Sequence, residues 1–210
     1  MLGVTQHSPH RACNRTALMN LPASHVPTQD QHDLTAEVVR ALTLYCFAEF
    51  QSGHVTTIRI TAEGNSFTIS DDGRGHVIER AVGGAPYLKF IYTHFDYPFE
   101  TGRNAPVQLQ GIGMSLINTL CSELIVTVRK QDVTLQLKFR GGRPFGSELF
   151  NVSSGETGIA ISGKVSPQMQ RGGVGVQKLQ QWLLDLLAAS PTLKLFFNGH
   201  QLQALSQSDA

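Results

Sequence analysis

Apolar positions along the chain follow two rhythms, one of three to four residues and one of two. The first runs through residues 34–51, where Leu34, Val38, Leu42, Tyr45 and Glu49 recur at four- and three-residue steps. That spacing places them on one side of an α-helix, with most of them facing a core. Asp33 stands at the N-cap position, Ala36 and Glu37 fill the first turn, and Ser52-Gly53 stops the helix. A second amphipathic helix is predicted over about 177–189, with Leu179, Trp182, Leu183, Leu186 and Leu187 on one side. The two-residue rhythm predicts strands over 56–61 and 66–70, joined by Ala62-Glu63-Gly64-Asn65 as a hairpin. Further strands are expected over 124–129, 134–140, 158–165 and 192–197, the last closing at Asn198-Gly199. A short helix from Met114 to about Ser122 opens behind Gly111-Ile112-Gly113.

Three stretches lack either rhythm. Residues 76–110 mix glycines, prolines and aromatics, and a run of that length reads as a functional loop or lid. A Gly- and Pro-rich stretch ahead of residue 158 reads as a connection. Residues 1–30 carry Pro9, Pro22 and Pro27 among polar residues and read as a loosely attached arm. The histidines at 7, 10, 25 and 32 are irregularly spaced, which suits a solvated tail better than a metal site. One domain over 31–205 and a tail over 206–210 complete the organisation. Helix, hairpin, lid, helix, hairpin, strand, helix and strand in that order predict an α+β, two-layer sandwich. Its helices would pack on one face of a mixed, mainly antiparallel sheet.

Composition narrows the function. Of 210 residues, 41% are hydrophobic and 16% charged, enough apolar material for a sizeable core. The net charge of +1 gives no general grip on nucleic acid, so direct DNA binding is not expected. Cys13, Cys46 and Cys121 match no zinc spacing, and an odd count makes no disulfide framework. Cys46 and Cys121 lie in apolar runs and read as core residues. No apolar run is long enough to span a membrane, and Met1 to Asn20 lacks a signal-peptide apolar region, so a cytoplasmic location is expected.

Two short motifs carry candidate chemistry. Asp71-Asp72-Gly73-Arg74-Gly75 follows directly on a predicted strand. A carboxylate at a strand end accepts a hydrogen bond from an exocyclic amine, and the glycines let the backbone approach a flat ligand. An ordinary Asp/Gly turn has the same wording. Gln110-Gly111-Ile112-Gly113-Met114 opens a helix, whose unpaired N–H groups and dipole favour a phosphate. It is neither a Rossmann fingerprint nor a P-loop.

Taken together, an Asp-x-Gly-x-Gly turn and a Gly-x-Gly helix start some forty residues later resemble the gyrase/histidine-kinase/MutL (GHKL) ATPase superfamily, the Bergerat fold. Ser52-Gly53-His54, Ser70 to Gly75, Gly111 to Gly113 and Ile117-Asn118-Thr119-Leu120 are similar to the ATPase ends of gyrase and topoisomerase IV B subunits. The resemblance covers about residues 33–200. It implies ATP or ADP as ligand, with Asp71 as adenine acceptor and Gly73 and Gly75 giving backbone clearance. Gly111, Ile112 and Gly113 would present N–H groups to phosphate, with Met114 covering the pocket. Thr157 is also implied as a nucleotide-binding residue, and it opens Thr157-Gly158-Ile159, where the family's wording is Thr-Gly-Thr, so Ile159 replaces one hydroxyl near the adenine pocket.

The same resemblance expects a glutamate on the first helix to polarise the attacking water, and one turn later an asparagine that holds Mg2+. Counted without gaps from Gly53-His54, these positions hold Ala41 and Tyr45. Tyrosine is a poor ligand for an ion that prefers compact oxygen donors. A four-residue insertion would instead make Glu37 the base and put Ala41 at the asparagine position. Glu49 then reads as structural or surface-lying, and no metal ligand is assigned. The expected function is a standalone ATP-binding domain with weak or no hydrolysis. The alternatives are a non-binding pseudo-ATPase that serves as a protein-interaction module, and an active ATPase using Glu37. A protein partner or a homodimer is compatible with each. The family's phosphate-sensing second domain and DNA-cleaving domains have no match in these residues, so strand passage by this chain alone is not expected.

Overall fold

The computed structural model describes residues 33–79, 81–82, 84–94, 113–151, 155–170 and 175–203. The first helix, α1 (Leu34–Gln51), starts where the sequence places it, because an Asp33 carboxylate oxygen accepts the Ala36 N–H at 3.1 Å. The same carboxylate accepts the Gly175 N–H and, at 3.1 Å, a Gln170 amide proton. Asp33 thereby ties the start of α1 to the start of a later helix, α4 (Val176–Ala188).

Alternation builds the sheet. The strands are β1 (Thr57–Glu63), β2 (Ser66–Asp71), β5 (Cys121–Arg129), β6 (Val133–Arg140), β7 (Arg143–Asn151), β8 (Gly158–Val165), β9 (Lys194–Phe197) and β10 (His200–Gln201). They lie in the order β10-β9-β1-β2-β8-β5-β6-β7. Only the β1–β9 pairing is parallel, so the sheet is mixed and mainly antiparallel, as expected. A two-stranded ribbon of β3 (Ala81–Val82) and β4 (Ala85–Pro86) stands apart. Ile58, Ile60, Ile69, Leu124, Val126 and Ile161 point to one face of the large sheet and are fully buried. The polar partners between them, such as Thr68 and Ser162, meet on the other face, hydroxyl to hydroxyl at 3.2 Å. α1 packs on β1 and β2, and α4 packs on α1. Leu179, Leu183 and Leu187 form the buried stripe of α4, while Trp182 and Leu186 are half-buried at its edge. Each fully buried leucine contributes about 1.5–3 kcal/mol of transfer free energy.

The structure corrects four expectations. Ala62 and Glu63 belong to β1, so the hairpin turn is only Gly64-Asn65, closed by the Glu63–Ser66 pair. A helix, α2 (Tyr87–Thr93), lies inside the stretch read as an aperiodic lid. Its Tyr87, Leu88, Ile91 and Tyr92 are buried, and it packs on α3 (Met114–Leu120). α3 ends before Ser122 because Cys121 turns extended and begins β5. The supposed connection before residue 158 contains β7, an edge strand exposed at every position from 143 to 149. Having no buried face, it shows no alternation to read.

Among the described residues no helix is long and apolar enough to cross a membrane. Cys46 and Cys121 are free and buried, as expected. The arm at 1–30, Cys13, the tail at 206–210, and both Gly111 and Ile112 lie outside the described residues.

Candidate functional site

β2 buries alternate residues Phe67, Ile69 and Asp71. The strand period therefore carries a carboxylate to a position that an aliphatic side chain would otherwise take, and Asp71 is only 7% exposed. Its Oδ1 accepts the Gly73 N–H at 3.0 Å and the Ile159 N–H at 3.2 Å, and the Cys46 thiol also hydrogen-bonds to it. Burial pushes the Asp71 carboxyl above the usual range, and these donors pull against that shift without cancelling it. Asp72 faces the opposite way. It accepts the N–H groups of Thr56 and Thr57 at 2.8 and 2.9 Å and clips the turn to the start of β1.

Gly158 makes the Asp71 geometry possible. It has φ +134, and a Cβ there would lie 2.1 Å from the Asp71 carbonyl oxygen. Without a side chain at 158, β8 comes close enough for Ile159 to reach the carboxylate. Gly75 has φ +65 and packs against Gly158 and Val128, where a Cβ would stand 2.9 Å from each. At Gly73 a Cβ would meet Val55 at 2.7 Å. The turn is thus tightly packed under its backbone, with no room for side chains at either glycine that the motif requires.

α1 forms the facing wall with Tyr45 and Glu49. Arg74 makes a two-pronged contact to Glu49, at 2.9 and 3.1 Å, and Lys130 donates to the Arg74 carbonyl at 2.7 Å. Glu49 and Arg74 are therefore both cleft residues and ion-pair partners. The Tyr45 hydroxyl lies 2.9 Å from Nδ1 and 3.2 Å from Nε2 of His76. Burial, and secondarily the charge of Lys130, holds the His76 imidazole down to about 4, so it is neutral near pH 7. Burial likewise pushes the Tyr45 and Tyr92 hydroxyls well above the usual phenol range, with the nearby Asp71 and Cys46 adding to the shift. Behind His76, Tyr92 meets the imidazole edge-on at 6.3 Å and stacks on Phe139.

The cleft so formed joins Tyr45, Glu49, Asp71, Gly73, Arg74, Gly75, His76, Val77 and Ile159 around about 20 Å³ of free space. Of the residues expected from sequence, Asp71, Gly73 and Gly75 come together here. Thr157 is half-buried beside Gly158, and it is Ile159, two residues on, that lines the cleft. Gly113 is exposed at the start of α3, and Met114 is buried in the core rather than in the cleft wall. Glu37 lies two turns before Tyr45, pairs with Arg40 at 2.8 Å, is 43% exposed, and does not line the cleft. Ala41 is buried. Sequence reasoning passed over His76, and over Tyr45 as a cleft residue; Gly158 and Ile159 stood in it only as part of the Thr157-Gly158-Ile159 strand start, with Ile159 near the pocket.

No protein-family model matches the chain. It is 28% identical over 139 residues to the DNA topoisomerase 4 B subunit of Enterococcus faecalis, covering 62% of this chain and 20% of that protein. It is 29% identical over 150 residues to the DNA gyrase B subunit of Haloferax volcanii, covering 68% of this chain and 23% of that one. The chain thus spans less than a quarter of the length of these relatives. Among solved structures, the topoisomerase IV ATP-binding domain of Francisella tularensis, in complex with a small-molecule inhibitor, superposes with a TM-score of 0.66. That match has 20% identity and covers 79% of this chain and 47% of that one. The chain shares its fold with that topoisomerase IV ATP-binding domain, and its sequence is similar to the topoisomerase 4 and gyrase B subunits.

Proposed function

We propose that this chain is an adenine-nucleotide-binding domain that hydrolyses its ligand weakly or not at all. The observation that supports this reading is Asp71, a buried carboxylate on the wall of the cleft, fixed by the Gly73 and Ile159 N–H groups. A preorganised acceptor in an apolar surround selects an amine donor, and the exocyclic amine of adenine is that donor. Gly73 and Gly75 hold the turn low, and Ile159 and Val77 offer apolar surface to the ring. Gly111 to Gly113 would supply N–H groups to the phosphates of ATP or ADP.

Hydrolysis needs an acceptor within hydrogen-bond reach of the attacking water. α1 offers Ala41 at the position expected for it, and Glu37 is tied to Arg40 outside the cleft. Mg2+ also lacks a match. Tyr45 stands at the position expected for its asparagine and is bonded to His76. Among the described residues no three His, Cys, Asp or Glu side chains gather to hold a metal. The ligand is therefore held without a metal ligand from α1.

The narrowness of the cleft favours a second reading, in which the fold binds no nucleotide and serves as an interaction module for a protein partner or a second copy. Melting temperature decides between them, measured with a non-hydrolysable ATP analogue, with and without Mg2+, on wild type and Asp71→Ala. A ligand that binds only the folded state must raise its stability. A rise of several degrees that disappears in Asp71→Ala is expected. No rise at millimolar nucleotide would leave the interaction module as the reading. Phosphate release from ATP is expected to stay at the level of a protein-free blank.

A further inference from the structure

We propose that Tyr45 and His76 form a gate that closes the nucleotide cleft, so that a base enters only when the His76 side chain swings out. The proposal rests on the nucleotide-binding reading above and concerns the regulation of that same site.

Free space in the cleft is about 20 Å³. That holds one water, whereas small-molecule sites usually offer about 300 Å³ or more. Among the lining residues, Tyr45 and His76 alone carry rings. Asp71, Gly73 and Ile159 are held to one another through backbone N–H groups, and a Cβ at Gly73 would already collide with Val55. Arg74 is fixed by Glu49 through its guanidinium and by Lys130 through its carbonyl. None of these can withdraw without dismantling the turn.

Tyr45 and His76 differ, because one hydroxyl–imidazole contact of 2.9 Å holds them across the cleft. Tyr45 is anchored on the rigid helix α1, while His76 sits in residues 72–79, which form neither helix nor strand. The imidazole is therefore the moving part and the tyrosine its latch. Behind the imidazole lies Tyr92, whose hydroxyl is fully buried and has no hydrogen-bond partner among the described residues. A polar ligand in the space vacated by His76 supplies one. In the closed state the competent fraction is small, and the apparent affinity is reduced by that fraction. Removing the gate returns the lost affinity.

The test is titration calorimetry with a non-hydrolysable ATP analogue, without metal, on wild type, His76→Ala, Tyr45→Phe and the double variant His76→Ala/Asp71→Ala. Circular dichroism melts of each protein without ligand serve as the check on folding. His76→Ala is expected to bind at least tenfold more tightly than wild type. Tyr45→Phe, which keeps the ring and loses the latch, should bind a few-fold more tightly, and the double variant should not bind. A folded His76→Ala that binds no more tightly than wild type overturns the gate and leaves nucleotide binding intact. Tightening that survives in the double variant also overturns it, since the ligand would then be filling a hole unrelated to Asp71. If His76→Ala does not fold, Tyr45→Phe decides alone, and unchanged or weaker binding sinks the proposal. If no protein binds at millimolar nucleotide, the nucleotide reading and the gate fall together.

Discussion

Replacing Gly158 by alanine tests whether the close approach of β8 to Asp71 organises the site. At φ +134 an L-residue is strained whatever surrounds it, at a cost of about 1–3 kcal/mol. The new Cβ would also lie 2.1 Å from the Asp71 carbonyl oxygen and 3.0 Å from its carbonyl carbon. Those are backbone atoms where β2 ends and β8 begins, so relief requires the two strands to separate locally, and overpacking of that kind costs about 1–3 kcal/mol more. The expected loss is about 2–6 kcal/mol, read from urea unfolding followed by circular dichroism at pH 7. At about 2–4 °C per kcal/mol for a domain of this size, the melting temperature should fall by roughly 4–24 °C. Gly64→Ala is the control. Gly64 has φ +57 with nothing within 4 Å of its Cβ position, so only the left-handed strain of about 1–2 kcal/mol applies. If Gly158→Ala costs no more than Gly64→Ala, the contact is soft and the account of Asp71 positioning fails. Where Gly158→Ala is still folded, it should also lose nucleotide binding, because Ile159 no longer reaches the carboxylate, whereas Gly64→Ala should bind normally.

Two further outcomes follow from the buried polar groups. His76 titrates at about 4 in the fold, against 6.5 for an unperturbed histidine. A base depressed in this way gives stability that is complete above pH 6.5 and lost as the pH falls through 4, because the unfolded chain takes up the proton first. At about 1.4 kcal/mol per pH unit the loss is roughly 3 kcal/mol. Urea unfolding at pH 7, 5.5 and 4 should show that slope in wild type and a shallower one in His76→Gln, and equal slopes would contradict a neutral buried imidazole. Tyr92→Phe removes a hydroxyl that has no partner among the described residues, so the ligand-free protein should keep its stability or gain about 1 kcal/mol. A loss of more than about 1 kcal/mol in the same assay would mean that the hydroxyl is already satisfied.

Elements with a sharp boundary between buried and exposed positions were legible in the sequence. α1 and α4 keep a helical period, and β2 and β6 alternate because one face meets the helices. α2 escaped because seven residues with buried positions at 87, 88, 91 and 92 span less than two turns. β7 escaped because an edge strand exposed on both sides, with Phe145 at 52% and Leu149 at 66%, follows no burial pattern at all. In the site, Asp71 and its glycines were readable because the turn needs those residue types. Tyr45 and His76 were not, since their pairing joins positions 31 residues apart through side chains alone. A local motif records what the backbone requires, and it carries no trace of a contact that depends on two separate elements meeting.

The division between elements also explains how one half of such a site can change while the other stays intact. The hydrogen bonds that fix the Asp71 carboxylate come from the turn, from β8 and from Cys46, and the two glycines pack against Val55, Val128 and β8. The positions that water activation and a metal would require lie on α1, where Ala41 is an ordinary core residue and Tyr45 bonds sideways to His76. Replacing a carboxylate or an amide on that helix by alanine or tyrosine leaves the sheet contacts of Asp71 untouched and fills space with apolar surface, which favours folding. The salt bridge from Glu49 to Arg74 then still docks α1 onto the turn. On the proposed reading, loss of hydrolysis without loss of binding would be a change confined to one helix face. Because that same face supplies Tyr45, it also supplies the latch that holds His76 across the cleft.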